Sequence, residues 1–128
     1  MSVNLKSLIG RLNDTCRQAL EGAAGLCLSR TNYDVEVEHL FLKLLEAPDT
    51  DLGKVLRRFE IDASRLSRDV TRALDRLKTG NARTPALSPR LPRLIEKAWV
   101  VASIEYGASK VRSGHLLLVL LTDDDLAR

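Results

Sequence analysis

His39 and His115 are the side chains here best equipped for chemistry. Each is followed by leucine and an almost unbroken apolar run, VEVEHLFLKLLE at 35–46 and VRSGHLLLVLLT at 111–122. Metal binding would need a cysteine or second histidine at ligand spacing, and neither histidine has one nearby. The expected role of each is therefore structural: it opens a buried helix and bonds a loop backbone. Asp51-Leu52-Gly53-Lys54 looks like the end of a phosphate-binding loop. Its upstream glycine position is Pro48, however, and Val55 stands where a hydroxyl should follow the lysine, so the loop requirement fails. Asp123, Asp124 and Asp125 would hold a hard cation only with further ligands, and as acids opening another helix they need no such role.

Cys16 and Cys27 complete the inventory. On one helix, with about 1.5 Å of rise per residue, they would lie roughly 16 Å apart, too far for a disulfide. Both would face the same side, as small buried hydrophobes of a reducing compartment. No Ser-His-Asp or Cys-His constellation can be assembled. The residues therefore predict a chain that binds rather than catalyses, with no metal and no cofactor.

The elements that position these residues are helical. Leucine and alanine abound while aromatics make up 4% of the 128 residues, a bias that suits helices over strands. The length is that of one domain with one core. A net charge of +3, with acids among the bases as in RRFEIDASRLSRD, predicts solvated faces rather than a nucleic-acid surface. The apolar runs are far shorter than the roughly 20 residues that span a bilayer, and no signal-peptide core opens the chain. A cytoplasmic location is expected.

Asn4 is expected to cap a short helix carrying Leu5, Leu8, Ile9 and Leu12. Asn13-Asp14 begins a longer one with Cys16, Ala19, Leu20, Ala23 and Cys27 inward, fading at Arg30-Thr31-Asn32. The first histidine phrase follows and Pro48 ends it. Thr50 caps a helix to Phe59, and Asp62 caps another with Leu66, Val70, Leu74 and Leu77 as its stripe. Residues 78–90, KTGNARTPALSPR, read as a linker. Ser88-Pro89 starts the next helix, Gly107 ends it, and Ser113 is expected to cap the second phrase.

An offset of 76 residues pairs Arg17 with Arg93, Val35 with Val111, His39 with His115, Leu40 with Leu116, Leu44 with Leu120, and Asp49 with Asp125. This is an internal repeat. It predicts an all-α, pseudo-twofold bundle with the two apolar helices paired at its centre. Residues 1–12 form an extra N-terminal helix, 13–77 the first repeat, 78–90 the linker and 91–128 the second repeat. The first repeat has two more helices than the second, so the second reads as truncated, with roughly 25 residues still to come by the repeat's own arithmetic.

The doubled phrase, joined by PALSPRL, resembles the Clp N-terminal domain of Hsp100-type AAA+ unfoldases. The opening LKSLIGRLNDTCRQALEGAAGLC resembles the ClpV (TssH) branch of bacterial type VI secretion, which adds a helix before the first repeat. That resemblance implies recognition of the contracted sheath through an N-terminal helix of its large subunit (TssC, also called VipB). Hexameric AAA+ rings then pull the sheath apart. No Walker motif is present in this chain. The related alternative is the N-domain of a ClpB-, ClpA- or ClpC-type chaperone that receives adaptors or unfolded segments.

Helix-in-groove recognition needs two ridges and a floor of small side chains. Leu5, Leu8, Ile9 and Leu12 are expected to form one wall. Cys16, Ala19, Gly22, Ala23 and Ala24 offer a floor, Leu20 supplies bulk, and Arg17 and Glu21 a polar rim. The competing possibility is that Leu5 to Leu12 close the end of the bundle as core. A rival of another class, nucleic-acid binding through Arg57, Arg58, Arg65, Arg68, Arg72 and Arg76, is disfavoured by the interleaved Glu60, Asp62, Asp69 and Asp75. Neither a nucleic-acid nor a membrane partner is expected.

Overall fold

Most helices begin where the sequence supplies a cap. In the computed structural model, which describes residues 4–123, the chain forms α1 (Leu5–Gly10), α2 (Asp14–Ser29), β1 (Asp34–Val35), α3 (Val37–Glu46), α4 (Asp51–Arg58) and α5 (Ala63–Asp75). Then come β2 (Ala86–Leu87), α6 (Arg90–Val100), a π-helical turn over Val101–Glu105, and α7 (Ser113–Thr122). Asn4 Oδ1 accepts from the Lys6 and Ser7 amides, Asn13 Oδ1 from Cys16, Thr50 Oγ1 from Gly53, and Asp62 Oδ1 from Ser64 and Arg65. Each satisfies amides that the first helical turn leaves unpaired. Asp124 and Asp125 lie outside the described residues.

The histidines solve the same problem for α3 and α7. The Glu36 amide donates to His39 Nδ1, and the Arg112 amide donates to His115 Nδ1, both at 2.9 Å. This explains the repeated phrase, and it corrects the capping role expected of Ser113. That residue is the first of α7, and its Oγ accepts instead from the Leu52 amide of the other repeat at 3.2 Å.

The core is built on the two-fold plan. The buried stripe of α2, Cys16, Ala19, Leu20, Ala23 and Cys27, recurs on α6 and the π-helical turn after it as Leu91, Leu94, Ile95, Ala98 and Ala102. Each lies 75 positions after its counterpart, whereas the histidines lie 76 apart. The difference falls at the end of the long helix. The Asn32 amide reaches back to the Cys27 carbonyl, and the Ala108 amide reaches to the Ala102 carbonyl with one residue more between them. The π-helical turn absorbs that extra residue, as such turns do. Arg17 therefore corresponds structurally to Pro92, and the pairing with Arg93 is corrected. Thr31 and Gly107, both at positive φ, end the two long helices at equivalent places.

Helices α3 and α7 meet at the centre. Val37, Leu40 and Leu44 face Ser113, Leu116 and Leu120 across a void of about 10 Å³, too small to hold more than one water. The repeats also exchange backbone. The segment leading into α6 pairs in parallel with the segment leading into α3, register Val35 with Leu87, so residues 78–90 contribute a strand as well as a connection. The segment leading into α2 pairs with the one leading into α7: Asn13 donates to the Val111 carbonyl at 2.8 Å and Val111 to the Arg11 carbonyl at 2.6 Å.

Candidate functional site

Helix α1 is six residues long, too short to persist alone in water, so its position is set by what holds it. Leu8 and Leu12 are 3% and 2% exposed and belong to the core, where α1 lies against α6. The Arg11 guanidinium sits 4.6 Å from the centroid of the Trp99 ring, and Lys110 Nζ donates to the Gly10 carbonyl at 2.7 Å. With the Leu12–Val111 bridge, these contacts rivet the C-terminal end of α1 to the second repeat. Leu5, 36% exposed, faces outward, and Ile9 is half-buried, packed in part against the core.

The other expected groove residues divide by face. Cys16, Ala19, Leu20 and Ala23 are buried where α2 packs along α3, while Arg17, Glu21 and Ala24 are exposed and Gly22 is half-buried. Helix α1 lies chiefly on α6, and α2 on α3. Leu8 and Leu12, expected in the wall, Cys16 and Ala23, expected in the floor, and Leu20, expected to supply bulk, are all buried in the core of the unbound domain. Ala19 alone of these touches a surface depression, about 310 Å³ between α2 and α3, with Gln18, Lys43 and Glu46 around it.

A pseudo-equivalent depression of about 510 Å³ lies between α6 and α7. In the first repeat the Lys43 stem lies over Gly22, where an added Cβ would meet Lys43 Cδ at 3.2 Å, and Lys43 Nζ reaches Glu46 at 3.1 Å. In the second repeat the lysine comes from the opposite helix: Lys97 replaces Gly22, Val119 replaces Lys43, and Lys97 pairs with Asp123. The second depression therefore has an apolar floor of Val100, Val101 and Val119 under a charged rim. Sequence reading missed that floor and the Arg11–Trp99 rivet. The signal for the floor was Val100, four positions before Ile104 on the outward face of the same helix.

Among the described residues no three His, Cys, Asp or Glu side chains converge as metal ligands, and no helix is long and apolar enough to cross a membrane. Cys16 is fully buried, and its thiol is pushed up to about 12, chiefly by that burial and then by the Asp51 charge. Such a thiol is no nucleophile.

The profile of the Clp repeat (R) N-terminal domain family matches residues 11–128. The AAA+ ATPase ClpV1 of Pseudomonas aeruginosa is 38% identical over 120 residues, which cover 94% of this chain and 13% of that protein. The chaperone protein ClpB of Yersinia enterocolitica is 37% identical over 128 residues, 100% of this chain and 14% of that one. The chain thus spans about one seventh of the length of these curated relatives. A solved complex of a ClpV N-domain with a VipB peptide superposes with a TM-score of 0.87 at 31% identity, covering 98% of this chain and 76% of that one.

Proposed function

Because this chain belongs to the Clp repeat (R) N-terminal domain family, we propose that it is the recognition domain of a ClpV-type unfoldase, and that it captures an N-terminal helix of a type VI sheath large subunit. The observation that carries this reading is the place of α1. It precedes the family-wide block at 11–128, yet it is held firmly by Leu8, Leu12 and the Arg11–Trp99 stack. What it offers to a partner is Leu5 and Ile9. On the proposal, an amphipathic helix lies along this side of α1, and Arg17, Glu21 and Ala24, exposed on α2, come into play only where the partner extends that far.

The work is done by binding, without cofactor. ATP hydrolysis and hexamer formation would belong to AAA+ domains elsewhere in the parent protein, working in the bacterial cytoplasm. Each apolar side chain buried contributes about 1.5–3 kcal/mol, and association with ordering offsets much of it. Two or three such side chains give roughly 3–9 kcal/mol before those costs, so a single contact is no tighter than about micromolar, and six copies on a ring would strengthen it through avidity. Nucleic acid is not the intended partner: Arg30 pairs with Asp75 and Arg72 with Asp69, so the basic residues of this face are partly answered by acids.

The test is a fluorescence titration with a labelled peptide from the sheath large subunit's N-terminus. Saturable micromolar binding, weakened at least tenfold in Leu5→Asp/Ile9→Asp while circular dichroism shows the domain still folded, is the expected result. Leu8→Asp is unsuited to this purpose, because it removes a core residue and undocks α1. Unaltered binding by the double variant would move the site off α1. The second reading, a general chaperone domain, is favoured by the 37% identity to the Yersinia enterocolitica ClpB. It expects equal binding of an unrelated amphipathic peptide.

A further inference from the structure

We propose that the outer face of α5 docks an acidic helix of a partner protein through a row of four arginines. Helix α5 packs on α3 with Val70 and Leu74 buried and Leu66 half-buried. Its other side carries Arg65, Arg68, Arg72 and Arg76, spaced three, four and four residues apart and all exposed. That spacing sets the four guanidinium groups in one row, over about 16 Å of helix. Helix α1, by contrast, lies chiefly on α6. The row is therefore separate from the surface proposed for the sheath helix, and it stands whichever helix α1 captures.

Within the domain the row is unfavourable. Like charges at i and i+4 repel on a helix surface, and Arg68 stands so to Arg72, as Arg72 does to Arg76. Among the described residues Arg65, Arg68 and Arg76 form no ion pair. Arg72 has one loose contact, 3.8 Å to Asp69, and both side chains are more than half exposed. Asp75, beside the row, pairs with Arg30 at the end of α2. The imbalance extends along the chain around α5. Residues 54–83 hold nine lysines and arginines against four acids, in a chain of net charge +3, so the remainder is slightly acidic. Nothing described in the domain answers this concentration of positive charge.

Three features select an acidic helix as the occupant. All four cations are arginines, whose planar forks take a carboxylate two bonds at a time and lose less hydration than an ammonium does. Their period is that of an α-helix, so a second helix laid alongside, with glutamates at the same spacing, meets them in register. Asp69 and Asp75 border the row on opposite sides. Lysines flanking the partner's glutamates would answer both, whereas the densely spaced phosphates of a duplex would meet them as repulsion. At the start of α5 the chain turns at Glu60, φ 55°, and leaves Phe59 70% and Ile61 48% exposed. Two apolar side chains thus stand beside one end of the row, where a partner helix would carry a leucine.

The probe is a labelled, alanine-based helical peptide with glutamates at i, i+3, i+7 and i+11, flanking lysines and one terminal leucine. Its control has the same composition with the glutamates dispersed around the helix. Each is titrated into the 1–128 domain by fluorescence anisotropy at low salt. Saturable binding of the patterned peptide is expected, severalfold tighter than that of the control and weakening as salt rises. It should fall about fivefold in Arg68→Gln/Arg72→Gln, a variant whose melting temperature is not lowered because two like charges are gone. No saturable binding, equal binding of the two peptides, or undiminished binding by the variant would overturn the proposal. So would a variant that melts well below the wild type, since the arginines would then serve the fold. Duplex DNA bound more tightly than the patterned peptide would assign the row to nucleic acid and overturn it too. The Leu5→Asp/Ile9→Asp domain should bind the patterned peptide unchanged, which separates failure here from failure of the sheath reading; loss of binding there would place the peptide on α1 instead.

Discussion

Arg112 of the second repeat closes a two-pronged ion pair on Asp51 of the first, with Nε 2.8 Å from one carboxylate oxygen and an Nη 2.7 Å from the other. The approach is close because residue 114 is glycine: a Cβ there would lie 3.3 Å from Asp51 Cβ. Next to this fork the Leu52 amide donates to Ser113 Oγ. The N-termini of α4 and α7 are thus clamped together, and the clamp ties the two repeats to each other at a point where both are half-exposed.

Asp51→Asn keeps the shape but removes the negative charge and leaves one oxygen to accept from Arg112. Arg112 is more than half exposed, so solvent screens the pair, and a loss of about 1 kcal/mol is expected in urea titration at pH 7. The Arg112 hydrogen bonds, opposed in part by burial, hold the Asp51 carboxyl below its ordinary value of 3.8. A carboxyl whose folded-state value is depressed stabilises the fold above that ordinary value, and the contribution disappears as pH falls through the folded value. The wild-type domain should therefore lose stability below about pH 4 more steeply than Asp51→Asn does. Parallel acid profiles would assign no such role to the fork.

His39 governs a higher pH range. Its Nδ1 accepts the Glu36 amide, so the ring proton sits on Nε2, which faces Asn32 Oδ1 at 3.0 Å. Protonating Nδ1 would set a donor against a donor. Burial lowers the affinity of His39 for a proton, against a smaller opposing pull from Glu38, and burial acts in the same direction on His115. The unfolded chain then takes up protons first as pH drops through 6.5, and stability declines from there down to the folded-state values. His39→Ala should cost about 3 kcal/mol, because the buried Asn32 side chain and the part-buried Glu36 amide both lose their partner and the ring leaves a cavity. It should also flatten the profile between pH 5 and 6.5, about the window in which an unperturbed histidine titrates. A melting temperature independent of pH in that window would contradict the assigned tautomer.

Much of this was legible in the sequence, and the limits have physical causes. Caps at Asn4, Asn13, Thr50 and Asp62 are local chemistry, so their residues announce the helices directly. The two-fold was legible because a buried helix opened by histidine is a rare phrase. The groove was not. Periodicity shows that Leu8 and Leu12 share a face with something, but the neighbour is chosen by the Leu12–Val111 bridge, a pairing nearly a hundred residues distant in sequence that no spacing encodes. The same holds for Cys16 and Ala23, whose small size suits close packing on α3 as well as an open floor. Ser113 was misread because a hydroxyl at a helix start usually bonds its own helix, and here α4 takes it.

The thiols provide a test of the core that does not depend on any partner. Cys16 and Cys27 are both fully buried, and the Cys27 thiol donates to the Asn32 carbonyl at 3.6 Å. Burial first, then Asp34 and Glu36, pushes the Cys27 thiol up. A disulfide reagent at pH 8 should therefore leave the folded domain unmodified, then titrate both thiols once urea unfolds it. The rate of any slow reaction in the native state would report opening of the α2–α3 pair. Fast labelling of either cysteine under native conditions would mean that this stripe is not core.

The π-helical turn gives the sharpest prediction, because the protein already contains its own control. The first repeat joins Cys27 to Asn32 by the span that the second repeat covers between Ala102 and Ala108 with one residue more. Ile104, 77% exposed, lies in the turn that accommodates this excess. Deleting it should let the turn relax into ordinary α-helix and restore the closing hydrogen bond in the geometry of the first repeat. The left-handed position would still fall on a glycine, the residue that tolerates it best. A single-residue deletion inside a helix normally rotates everything that follows by about 100° and is destructive. Here the melting temperature should shift by no more than a few degrees, about what a 1 kcal/mol change produces in a domain of this size. Deleting Leu26, near the corresponding point of the first repeat, should unfold the domain, since that helix has no extra residue to give up. Equal damage from the two deletions would show that the turn is set by its surroundings rather than by the surplus residue.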